Sequence, residues 1–291
     1  MAILRFRPEI WAASLLVALQ KKLVFAQPGV VNRDYEGEIS AAGDTVRITS
    51  VSDPTIGTYV PNVTAVAPEE LSDFQRTMVI DQAKYFAFQV DDVDARQAKG
   101  NVLPTVMMRA AYKLADQADQ YIAGLYTGVQ TANFPSSAAA ITFTAIGTTA
   151  TEEFYNKVLV QLKVLLDQAN VPTEGRYCIV PPWAHGMLLL SSLFSRQDGS
   201  GADAAGRNGL VGRAAGFDIL VSNNCQQIST DYVIQAGVDS ALSFAEQINQ
   251  VMAYRPEAKF ADAVKGLYLY GGKLVRPDAI ACARVTRPTG I

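Results

Sequence analysis

Histidine is nearly absent from this chain. His185 is the only one in 291 residues, so a multi-histidine metal centre is excluded and a histidine-based triad has a single ring to work with. Its surroundings, "PPWAHGM", contain no nucleophile elbow; Ser191 and Ser192 are the nearest hydroxyls, and a packed histidine is the better reading. Cysteine is also scarce. Cys178, Cys225 and Cys282 are too far apart for a CxxC zinc pattern and too few for an even disulfide framework, so they read as buried reduced thiols. Long apolar runs are missing as well: "IWAASLLVAL", Ile10–Leu19, falls well short of the ~20 residues that cross a bilayer, and no transmembrane helix is expected. Arg5 and Arg7 ahead of that run, and "VFA" ending at Ala26, look like parts of a signal peptide. Pro8 and Glu9 interrupt its front, however, and Lys21 and Lys22 separate the run from the cleavage-like site, so the stretch reads as an amphipathic helix. No glycine is followed by Lys and then Ser or Thr, which removes the P-loop, and "GSGADAAG" has neither the spacing nor the preceding strand of a dinucleotide site. Asp91, Asp92 and Asp94 lack the glycine and terminal glutamate of an EF-hand. The 12 tyrosines and 12 phenylalanines are scattered without basic interleaving, unlike a nucleic-acid stacking platform. No cofactor and no metal is expected.

What the chain does have is apolar bulk. A hydrophobic content of 49% over 291 residues allows a large core divided among two or three lobes. The net charge of −3 hides a gradient: Met1–Arg33 carries five basic residues against Glu9, Lys273–Ile291 carries four against Asp278, and the middle holds the acidic excess. Affinity for a polyanion therefore belongs at the termini.

The segments alternate between two periods. Pro8 and Glu9 suit a first helical turn, with Trp11 and the apolar run following. In "YEGEISAAGDTVRITSV" the period becomes two, with Val46 and Ile48 opposite Thr45 and Arg47. Asp53-Pro54, Gly57, Pro61 and Pro68 punctuate a long connection. "TMVIDQAKYFAFQV", Thr77–Val90, reads as one overlong strand, an arm. Leu103, Met107, Ala110, Leu114, Ala118, Tyr121 and Leu125 recur at helical spacing. Thr149 with Glu152 makes a capping-box pattern for a helix that carries Phe154, Val158, Leu162, Leu165 and Ala169 on one face and stops before Pro172. "RYCIVPP" reads as a buried strand, "WAHGMLLLSSLF" as a short helix and "FDILVSNN" as a strand entering a turn. The end of the chain reads as short strands punctuated by Gly271-Gly272 and Pro277.

Few residues invite a functional role. The loop "GRNGLVGRAAGFDILVSNN", Gly206–Asn224, sets Arg207 and Arg213 among glycines, and an enzyme binding an anionic ligand there is one reading; glycines serving positive φ and close approach are the stronger one. Asp116 and Asp119 stand one helical turn apart and read as a solvated stripe or as partners for basic residues of another subunit. Val46, Ile48, Met78, Ile80, Phe86 and Phe88 put more apolar surface on the arm than a lone ribbon can leave in water, which predicts cover from a neighbouring subunit, with Arg47 and Arg76 meeting Asp116 or Asp119 across that contact.

Taken in order, "FRPEIWAASLLVALQKKLVFAQPGVVNRDYEGEI", "VDDVDARQ", "ADQADQYIAGLY", "GRAAGFDILVSNN" and "RPEAKFADAVKGLYLYGGKLVRPDAI" resemble the major capsid protein of tailed bacteriophages, the Hong Kong 97-type fold, over nearly the whole chain. The resemblance implies an α+β fold: an N-terminal arm over 1–33, an extended β-hairpin loop with flanking strands over 34–100, a peripheral domain with a long spine helix over 101–135, a mainly axial domain over 136–250, and C-terminal strands over 251–291 returning to the axial and peripheral core. It implies a structural protein, not an enzyme, that assembles as pentamers and hexamers of an icosahedral head around double-stranded DNA. The virion is the implied location, and assembly is expected in the host bacterial cytoplasm. A separate scaffolding protein and a portal are implied partners, a decoration protein is a further one, and no membrane is involved. Pro8, Glu9, Trp11, Lys21 and Lys22 would belong to the arm; Arg47, Pro54, Arg76, Phe86, Phe88, Asp116, Asp119, Arg207 and Arg213 would lie at subunit interfaces. Lys84 and Lys99 fall near the region where some relatives crosslink, without a local motif that supports it. The same fold resembles that of encapsulins, bacterial shells that enclose cargo enzymes, which is the alternative.

Overall fold

The longest strand runs straight through the two glycines that the sequence marks as a break. The computed structural model describes residues 24–34, 45–51, 54–58, 61, 69, 73–91, 102–135, 139–143, 148–191, 212–257 and 261–288. Within it β10 (Ala261–Leu274) is the centre of an antiparallel three-stranded sheet, flanked by β3 (Gln82–Asp91) and β9 (Leu242–Tyr254). Gly271 is there for proximity rather than for a turn. A Cβ on it would stand 2.6 Å from the carbonyl oxygen of Val79 and 3.0 Å from Cα of Ile80, so the strand passes beneath another backbone at a separation only glycine permits.

That other backbone is the root of a hairpin. The expected single strand over Thr77–Val90 breaks at Ile80–Asp81: β1 (Thr45–Val51) pairs with β2 (Asp73–Val79), while β3 joins the three-stranded sheet. Ile48, Met78 and Ile80 are buried against Ala245 and Leu269 of the chain's own sheet and Val275 just after it. The cover expected from a neighbouring subunit is therefore supplied, at the hairpin's base, by the protomer itself.

The two faces of the three-stranded sheet differ. On β3, Gln82, Lys84, Phe86 and Phe88 are half-buried, while Ala83, Tyr85, Ala87 and Gln89 are exposed, the period-two signature of a sheet with one packed face. The packed face lies against α1 (Val102–Gly124), which buries Ala111, Leu114, Ala115, Ala118, Ile122 and Ala123. Small residues on α1 allow close approach of the tyrosines opposite; Tyr121 meets Tyr270 edge-on at 5.4 Å between ring centroids.

A second, mixed sheet in the order β11–β8–β4–β6–β5 completes the chain, built from β4 (Tyr177–Val180), β5 (Arg213–Ala214), β6 (Phe217–Val221), β8 (Asp231–Gly237) and β11 (Ile280–Thr286), with β7 (Gln227–Ile228) pairing β8. Only β4 and β6 are parallel. All four residues of β4 are buried, as a strand covered on both faces should be. On one side lie α2 (Thr148–Phe154), a π-helical stretch Tyr155–Val160, α3 (Gln161–Gln168) and α4 (Pro182–Leu190). Phe154, Val158, Leu162 and Leu166 are fully buried at a strict spacing of four, which drifts by about 40° per step on a regular α-helix; the wider π turn absorbs that drift and keeps them on one face. The expected face members Leu165 and Ala169 sit at its margin, half-buried. Arg176, buried, ends this helical run by bonding the carbonyls of Val171 and Pro172 and pairing with Asp167 at 2.7 Å. Gln235 ties β8 to α1 through the Ala123 carbonyl at 2.6 Å, and one continuous core joins both sheets. No described helix is long and apolar enough to cross a membrane.

Candidate assembly surface

Residues 24–34 form a strap between α1 and β9. Its start is held by Asp119, whose carboxylate accepts the amides of Val24 at 3.0 Å and Ala26 at 3.4 Å, with Phe25, Ala26, Val30 and Val31 buried behind it. Burial pushes the Asp119 carboxyl up to about 6, against the downward pull of those amides. Farther along, Asn32 bridges to β9 through bonds with Leu242 and Phe244 of 2.8 and 2.9 Å, and Arg33 pairs with Glu246 at 2.8 Å while lying over the Phe244 ring. Tyr268 donates its hydroxyl to the same Glu246. The strap is thus tied at both ends, to α1 and to β9.

This assigns Asp119 differently from the sequence. It is neither a solvated stripe nor free to meet an arginine of another subunit, being 3% exposed and committed to the strap. Asp116 is half-buried and accepts from Gln120 at 3.2 Å on the helix surface. Phe86 and Phe88, expected on an exposed arm, stack on one another at 6.2 Å and pack into the main core, because β3 belongs to the sheet and not to the hairpin. Arg47 and Pro54 are exposed on the hairpin and its tip, and Arg76, also exposed, reaches back to the Leu274 carbonyl at 3.5 Å. Arg213 pairs with Asp218 across the β5–β6 turn at 2.7 Å, which occupies the guanidinium that an anionic ligand would need. That turn holds Ala215 and Gly216 at φ 51° and 85°, so its glycine serves a tight hairpin. Arg207, together with Pro8, Glu9, Trp11, Lys21 and Lys22, lies outside the described residues.

The three thiols are free and buried, and burial raises Cys178 and Cys282 and pushes Cys225 up to about 12; none is poised to react. His185 is half-buried with its pKa lowered by burial. Among the described residues no group of three or more His, Cys, Asp or Glu is placed to hold a metal.

The surface the sequence did not mark is apolar. Ile56, on the hairpin beyond β1, is 95% exposed, and Tyr85, Met252, Tyr254 and Leu267 stand on the open face of the three-stranded sheet, where with Ala87, Lys265 and Gly266 they line a groove of about 320 Å³. Lys265 lies over the Tyr254 ring at 5.2 Å. The available signal was the alternation within "KYFAFQV": Tyr85 and Ala87 fall out of phase with Phe86 and Phe88, so one of the two apolar sets had to face outward.

A hairpin on a two-sheet α+β body, entered by a strap, is the architecture of a Hong Kong 97-type shell protein, and the comparisons with known proteins agree. The chain matches the family model described as phage capsid protein over residues 75–284. A solved structure from Mycobacterium phage Che8 is 31% identical, with 90% of each chain covered and a TM-score of 0.69. The capsid of Ralstonia phage GP4 shares the fold at 14% identity, over 94% of this chain and 91% of that one, with a TM-score of 0.65. The crystal structure of a virus-like particle from Pyrococcus furiosus does so at 14% identity, over 94% and 98%, with a TM-score of 0.54. No curated protein matches. The chain belongs to the phage capsid protein family. It is a structural protein of the virion shell, a major capsid protein that associates with itself, and not an enzyme.

Proposed function

We propose that copies of this chain assemble as pentamers and hexamers into an icosahedral phage head that encloses double-stranded DNA. The observation that carries this reading is the hairpin: its base is locked to the protomer through Ile48, Met78 and Ile80, while Ile56, farther out between its two strands, is left bare. A projection of this kind is suited to a head-to-tail contact that closes into rings. In this reading the three-stranded sheet and α1 are the peripheral domain, the mixed sheet is the axial domain, and residues 1–23 continue the strap as the arm. The basic ends of the chain face the genome or an acidic scaffolding protein, and a portal and a decoration protein complete the particle in the host cytoplasm. The 31% identity to the Che8 protein over 90% of both chains favours a DNA-filled head over a cargo-filled shell.

Electron microscopy of the purified full chain tests the shell: uniform closed particles are expected, and a small soluble oligomer as the only species overturns the reading. Nuclease treatment of particles from phage-producing cells tests the contents. Protected double-stranded DNA is expected, and intact particles holding only protein contradict the DNA assignment.

A further inference from the structure

Asp119 is where three parts of the chain meet. It sits on α1, accepts the amides of Val24 and Ala26 from the strap at 3.0 and 3.4 Å, and takes a further bond from the side chain of Asn224, in the turn between β6 and β7. That turn is itself fixed, since the Asn224 amide donates to the Ser222 hydroxyl at 3.1 Å and the Cys225 thiol to the Ser222 carbonyl at 3.4 Å. The junction therefore ties the strap to the helix of one sheet and to a turn of the other.

Among the described residues no cation reaches this junction. The groups acting on the carboxyl are neutral from every side, the amides of Val24, Phe25 and Ala26 from the strap and the Asn224 side chain from the turn. Charges on the same elements are committed elsewhere: Arg33 pairs with Glu246 at the far end of the strap, and Asp116 accepts from Gln120 on the surface of α1. A carboxylate sealed from water without a counter-charge is unfavourable, and it is the strap, with Phe25 and Ala26 fully buried, that does the sealing. Asn224 suits either protonation state. Its amide nitrogen donates to a carboxylate, and its oxygen, turned toward Asp119, accepts the O–H of the acid.

We propose that closing the start of the strap over α1 takes up one proton from solvent, bound on Asp119, so that acid holds this end shut and neutral solution lets it open. The far end stays outside the switch: Asn32 is tied to Leu242 and Phe244 by main-chain bonds, and Glu246 already has the Arg33 guanidinium and the Tyr268 hydroxyl against it. The sense follows from linkage. Closed, the carboxyl titrates at about 6; open to water, it returns to the ordinary value of about 4. The closed form therefore holds the proton more tightly and loses its advantage as pH rises. Between about pH 4.5 and 7.5 the closing equilibrium falls about twentyfold. This is a property of the single protomer and goes beyond the shell reading.

Hydrogen exchange of the full-length chain tests it, with rates converted to protection factors at each pH and particle size matched by sedimentation. Protection of the Val24 and Ala26 amides should fall about twentyfold from about pH 4.5 to 7.5, while the amides of Asn32 and Phe244, at the far end of the strap, stay level. Asp119→Asn keeps the shape of the protonated acid and should show no fall at Val24 and Ala26. Level protection at those two amides in wild type overturns the proposal. So does a fall shared equally by Asn32 and Phe244, which would mean that the whole strap opens together, and so does a fall that persists undiminished in Asp119→Asn. The comparison of the two ends within wild type decides the matter even where the variant fails to fold. No shells are needed for it, so a chain that forms none would sink the shell reading and leave this one standing.

Discussion

Asp119 shows how much one side chain organises. It is the point where α1 holds the strap, and removing it leaves the amides of Val24 and Ala26 without an acceptor in a buried setting, at about 1–3 kcal/mol for each group left unmade. Asp119→Ala should lower protomer stability by about 2–6 kcal/mol and accelerate hydrogen exchange at those two amides well beyond the rest of the core; unchanged exchange there would refute the latch. The carboxyl also carries a pH signature. Its folded pKa is raised to about 6, so the folded state holds the proton more tightly than the unfolded chain does. Its contribution to stability is complete below about pH 4 and is lost as pH rises through about 6. Between those values the unfolding free energy of wild type should fall relative to that of Asp119→Asn, as measured by denaturant titrations at matched ionic strength. Ala215 makes a simpler case. With φ at 51° it carries a left-handed conformation that costs an ordinary residue about 1 kcal/mol and that asparagine tolerates in such turns. Ala215→Asn should raise the protomer's melting temperature by about 2 °C; a lowered melting temperature would show the turn to be unstrained.

At the scale of elements, the sequence made some things plain and hid others. "RYCIV" reads as a buried strand because continuous apolar runs between turn residues have few other uses, and β4 is that strand. The helical periodicity from Leu103 also survives in α1. What failed was punctuation. Gly271-Gly272 looks like a turn, but whether a glycine bends the chain or admits another backbone depends on the partner, which sits nearly 200 positions earlier at Val79–Ile80. The break at Ile80–Asp81 was equally silent, since both halves of "TMVIDQAKYFAFQV" favour strand and only the sheet they join differs. The role of Asp119 could not be read because its partners are mainly backbone amides, with the side chain of Asn224 more than a hundred positions away, and backbone amides leave no mark in a sequence; its only signal was a carboxylate in line with the apolar face of a helix. This crossing is testable. Gly271→Ala forces the Val79 backbone away by several tenths of an ångström, and overpacking of this kind costs about 1–3 kcal/mol. Limited proteolysis should then cut first in the hairpin while the mixed sheet stays protected, and a cleavage pattern matching wild type would mean the crossing yields without loosening the hairpin's root.

For the molecule as a whole, the hairpin's two ends have separate duties, and that separates folding from assembly. The base contributes Ile48, Met78 and Ile80 to a core shared with Ala245 and Leu269, so deleting the whole excursion would damage the protomer and say little about contacts between copies. The tip contributes nothing described to the protomer's core: Pro54 to Thr58 are all exposed, and the bonds of Thr55 stay within the tip. Replacing Pro54–Asn62 with a short Gly-Ser turn should therefore leave a folded, soluble protomer. It would keep the pairing of β1 with β2 and the covered half of the open sheet face. The expected result is a circular dichroism spectrum within a few per cent of wild type together with sedimentation of small species only. Normal shells from the shortened chain would show that the tip is dispensable and that another surface, such as Met108 and Tyr112 on α1, carries the contact. An unfolded product would show instead that the tip supports the protomer's own core, contrary to the division of labour read from its burial.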